Sequence, residues 1–104
     1  MTTLVGEALA VILIGSTHYV DVGKNDDAII YYPSDTVAHM TLPDGPTWKG
    51  AMEIREDGYY VDWEGGPEGY WQISYQPGKF VYISPEGKPA GTVTRIVPGN
   101  PENF

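Results

Sequence analysis

The chain contains no cysteine. A disulfide framework, thiolate metal sites and cysteine nucleophiles are therefore excluded. Basic residues are scarce as well: six Lys and Arg stand against fourteen Asp and Glu, a net charge of −8 with a sequence pI near 4.4. Such a surface repels phosphate backbones and anionic headgroups, which argues against nucleic-acid and membrane-surface roles. Long apolar runs are missing too. The stretch over residues 8–14 is far too short to span a bilayer. No Lys or Arg precedes it, Glu7 borders it, and Ala8-Leu9-Ala10 stands before the apolar residues rather than after them, unlike a signal peptide. A cytoplasmic location is expected.

What is present suits one small domain. The 104 residues are enough for a single core. Hydrophobic residues at 41% and aromatics at 12% can fill it. Thirteen Gly and nine Pro punctuate the chain at a share below that of low-complexity sequence.

Residues 1–15 form the one predicted helix. Leu4, Val5, Ala8, Leu9, Val11 and Ile12 recur at spacings of three and four, as on one face, with Thr2 or Thr3 as cap and Gly15 as left-handed stop. From Ser16 onward the period becomes two. Residues 18–22 alternate, residues 28–32 are an apolar run, and residues 36–42 place Ala38, Met40 and Leu42 on one side. Pro43-Asp44-Gly45-Pro46 breaks the chain. Residues 48–55 then set Trp48, Gly50, Met52 and Ile54 inward, and Gly58 serves a hairpin loop as a positive-φ residue. Tyr59, Val61 and Trp63 return inward, followed by Trp71, Ile73 and Tyr75, then strands over residues 80–84 and 91–97. The tail, residues 98–104, lacks periodicity and is expected extended or loose.

Strands about every ten residues, joined by short loops, favour consecutive antiparallel pairing. The fold class is thus mainly β: a meander of about seven or eight strands curled into a small barrel or sandwich, with one N-terminal helix.

No catalytic constellation emerges, so a non-enzymatic domain without cofactor or metal is expected. His18 and His39 lie in separate strands without metal-ligand spacing and read as strand residues bonding a neighbour. Asp62 and Glu64 share an outward face and could do acid–base work only by converging in a cleft; a cross-strand pairing with Lys49 or Arg55 is the ordinary expectation. The aromatic residues are the strongest feature. Trp48, Tyr59, Trp63, Trp71, Tyr75 and Phe80 project to one interior, where they either pack as a core or line an apolar pocket. At this chain length the packed core is favoured. Outward-facing Tyr60, Tyr70, Asp62 and Gln72 form a candidate interface.

Trp48-Lys49-Gly50, the Asp57-Gly58 hairpin, residues 59–63 and Gly69-Tyr70-Trp71 together resemble small bacterial calycin-like, or lipocalin-like, domains of unknown function, over roughly residues 15–97. The resemblance implies a barrel fold and little about activity. The Gly-x-Trp signature of lipocalins is absent and the chain is shorter than their ligand-carrying barrels, which points to a filled interior. Two functions follow as expectations. One is a binding domain for an apolar or aromatic small molecule or a protein partner. The other is a self-associating, homodimeric protein with a fully packed core.

Overall fold

The computed structural model describes residues 2–43, 45 and 47–104, so Asp44 and Pro46 of the predicted break, and Met1 of the predicted helix, lie outside the described residues. In chain order the elements are β1 (Thr2–Thr3), α1 (Gly6–Leu13), β2 (Ser16–Asp21), β3 (Ala28–Tyr32), β4 (Val37–Thr41), β5 (Thr47–Ile54), β6 (Tyr59–Trp63), β7 (Glu68–Gln76), β8 (Lys79–Ile83) and β9 (Pro89–Pro98). From β2 each strand pairs antiparallel with the next, and β9 returns to pair with β2. Eight strands thus close into an up-and-down barrel, and the sandwich alternative falls away because every barrel strand has neighbours on both sides. The ninth strand is β1. It takes the edge of β7 at Ser74 and Tyr75, just past residues 68–71 where β6 pairs.

The expected alternation is present where it was clearest. Tyr59, Val61 and Trp63 are buried while Asp62 between them is exposed, and Met52 is buried between exposed Ala51 and Glu53. One end of the barrel is stopped by α1. Leu9 and Leu13, one turn apart, are fully buried, and Leu4 and Ile12 pack partly against the same cluster. Main-chain bonds fasten the stopper. Leu4 N–H donates to Ile73 O (2.8 Å), Gly6 N–H to Glu56 O (2.8 Å) and Gly15 N–H to Tyr32 O (2.6 Å).

Four expectations need correction. The helix buries a narrower stripe than its apolar spacing implied: Val5 and Val11 are 50% and 71% exposed, and Ala8 is exposed too. A stopper lies on the barrel with one side only, and Val11 stands half a turn from Leu9 and Leu13. Its start also differs. Thr2 and Thr3 belong to β1, and Val5 occupies the cap position without a side-chain hydrogen bond; Gly15, at φ 79°, does end the helix as expected.

Gly58 is required for room rather than for positive φ. A Cβ there would stand 2.4 Å from the Trp71 carbonyl oxygen and 2.9 Å from the Tyr70 ring, so only a bare α-carbon lets the β5–β6 hairpin cross β7.

Finally, the tail is not loose. Thr17 Oγ1 donates to Gly99 O (2.7 Å), Tyr19 Oη to Glu102 Oε2 (2.7 Å), and Phe104 stacks on Tyr31 and His39. The first two contacts, with the Arg95 guanidinium 4.0 Å over the Tyr19 ring, cover the outer face of β2 and bury Thr17 and Tyr19 beside the inward His18 and Val20, while Phe104 covers β3 and β4.

Candidate ligand cavity

The two halves of the barrel are filled differently. Beneath α1 the interior is occupied by Leu9, Leu13, Tyr32, Ile73 and His18. Toward the other end, where the β2–β3, β6–β7 and β8–β9 loops lie, the inward positions include Ala28, Gly69 and Gly91, with exposed Ala90 at the rim. There the barrel opens into a cavity of about 440 Å³, walled largely by aliphatic and aromatic side chains and bordered by Pro67 and Pro85 of the loops. An eight-stranded barrel is just wide enough either to fill itself with side chains or to hold one small ligand. Lining residues such as Val20, Ala28, Val61 and Trp63 are themselves members of the one buried core cluster, so the core packs around the cavity.

At the boundary between the halves lies a chain of polar groups. Tyr59 Oη and Tyr32 Oη are 2.9 Å apart, Tyr32 Oη and Tyr82 Oη 2.7 Å, and Tyr82 Oη and His18 Nδ1 2.8 Å. His18 Nε2 completes it at 2.7 Å from the Ile12 carbonyl oxygen of α1. Burial pushes the His18 pKa down to about 4, against the opposing pull of its bond to Ile12, so the imidazole is neutral at physiological pH. Burial likewise raises the phenols of Tyr32, Tyr59 and Tyr82 well above the ordinary tyrosine value. The histidine reading from sequence, a strand residue bonding a neighbour, is what His18 does. His39 lies outside the barrel, stacked with Tyr31 and Phe104.

Of the six aromatics expected to share an interior, Tyr59, Trp63 and Trp71 line the cavity. Trp48 does not. Its ring lies over Gly66, where a Cβ would approach Cζ3 to 2.3 Å, and its Nε1 is the one buried side-chain nitrogen or oxygen without a partner among the described residues. Tyr75 and Phe80 pair with each other across β7 and β8, away from the cavity lining, and Tyr75 is 39% exposed. Tyr82 and the inward aliphatics Val20, Ile30 and Met40 complete the lining and were not singled out as site residues; their inward parity was the signal available.

The outward group does come together. Tyr60 and Tyr70 face each other across β6 and β7, with the Arg55 guanidinium 5.4 Å and 5.8 Å from their ring centres. Tyr70 Oη donates to Asp57 Oδ1, and Gln72 Nε2 to Asp57 O (3.1 Å). Asp62 lies next to Tyr60 on the same outward face, opposite Ala51 and Glu68, and makes no side-chain hydrogen bond to that cluster. The expected pairing of the acidic face with Lys49 or Arg55 is not formed, because Arg55 is engaged with Glu53 (3.1 Å) and the two rings. Asp62 and Glu64 are exposed and not among the cavity's lining residues, so they do not converge in it.

Fold and cavity thus define a class, a closed antiparallel β-barrel stoppered at one end and hollow toward the other. Compared with protein-family models, curated proteins and solved structures, the chain matches none.

Proposed function

We propose that this protein is a non-enzymatic binding domain that holds one small, mostly apolar molecule inside the barrel. The observation that carries this reading is the cavity of about 440 Å³ among Tyr59, Trp63 and Trp71. A solvent-open pocket of that size lined by apolar side chains exposes apolar surface to water, and an apolar ligand covers it and gains dispersion contacts. The second reading, a self-associating protein, draws on the exposed Val5, Val11 and Ile14.

The test uses N-phenyl-1-naphthylamine, a neutral molecule whose fluorescence rises in apolar surroundings. Saturable 1:1 enhancement is expected. Ala28→Phe, which fills the cavity from β3, should weaken it at least about tenfold. Absence of saturable binding, or equal binding by the filled variant, would contradict the proposal.

A further inference from the structure

The polar chain at the inner boundary of the cavity has a direction. The Ile12 carbonyl oxygen can only accept, so His18 carries its proton on Nε2 and presents Nδ1 as an acceptor. Tyr82 must then donate to Nδ1, which leaves its oxygen to accept from Tyr32. Tyr32, having spent its proton there, accepts from Tyr59. Three phenol O–H groups and one imidazole N–H supply four donors, and the four bonds consume all of them. Acceptor capacity is left over, since each phenol oxygen carries two lone pairs. Tyr59 is the outermost member and, with Tyr82, lines the cavity.

The remaining charge and donors lie at the other end. Glu68 and Glu86 border the cavity and no Lys or Arg lines it among the described residues, which disfavours an anion. The indole of Trp63 closes β6 next to the β6–β7 loop, and Trp71 Nε1 lies 3.8 Å from where a Gly69 Cβ would stand, on the loop side.

From this arrangement we infer the ligand class: a neutral apolar molecule that enters with a hydroxyl or amine N–H leading and donates it to the phenol oxygens of Tyr59 and Tyr82. A carboxylate head, as in a fatty acid, is selected against, because it needs donors where the chain has none to spare. This inference rests on the cavity-binding reading above and adds the polarity of the ligand's head.

Three molecules of one shape separate the two. Binding of 4-phenylphenol, 4-methoxybiphenyl and biphenyl-4-carboxylate is measured by calorimetry and by quenching of tryptophan emission. The phenol should bind about tenfold more tightly than its methyl ether, the ratio that one hydrogen bond supports. The carboxylate should be the weakest by at least a further factor of about ten. In Tyr59→Phe the phenol's advantage over the ether should shrink to within about twofold, with the ether's own affinity little changed. If all three fail to bind, the cavity reading itself fails. If they bind with the ether equal to the phenol, or the carboxylate tightest, the cavity reading stands and the inferred head group is wrong. The wild-type series decides this even where Tyr59→Phe does not fold.

Discussion

Leu9→Ala and Leu13→Ala are each expected to destabilise the protein by about 2–5 kcal/mol, the range for truncating a fully buried leucine. Both side chains are completely buried beneath α1 at the stoppered end. In a domain of this size each kcal/mol moves the midpoint by roughly 4–8 °C, so a fall of at least about 10 °C should be visible by thermal unfolding. Val11→Ala is the contrast. At 71% exposure its cost should stay within about 0.5 kcal/mol. Equal effects at positions 11 and 13 would mean that α1 does not seat as described.

Acid should unfold the barrel through His18. Its folded pKa of about 4 lies below the ordinary value of 6.5, so the folded state binds the proton less readily than the unfolded chain. The stabilisation is therefore complete above about pH 6.5 and is lost progressively as pH falls toward 4, by about 3 kcal/mol in all. The groups bonded to the ring are the Tyr82 phenol and the Ile12 carbonyl, with the Tyr32 ring 5.2 Å away edge-on. No carboxylate is hydrogen-bonded to the ring among the described residues, so none holds its proton in place. Urea unfolding measured at intervals from pH 8 to pH 4 should show the decline in the wild type. His18→Gln should begin less stable at neutral pH and decline less over the same window. An identical slope in both would assign the acid sensitivity to other groups.

Much of the barrel was legible from period-two patterning. Residues 48–63 alternate cleanly because one face of each strand meets the core and the other meets water. The closure of β9 onto β2 was not legible: alternation tells which way a side chain faces, not which distant strand lies alongside. Nor did spacing alone distinguish Val11 from Leu13, since an amphipathic helix marked by apolar residues on more than one side has no unique buried stripe. The hollow half depends on a sum of interior volumes. Ala28, Gly69 and Gly91, which line it, are far apart in sequence and gather only once the strands are ordered. The His18–Tyr82–Tyr32–Tyr59 chain escaped notice for the same reason, its members coming from β2, β8, β3 and β6.

The most direct measurement of the central claim is diffraction from crystals pressurised with xenon, which enters dry apolar cavities of sufficient size. Xenon density is expected inside the barrel between Val20, Ile30, Val61 and Trp71, with nothing comparable beneath Leu9 and Leu13. An interior that excludes the gas, with side chains meeting across that space, would contradict the account.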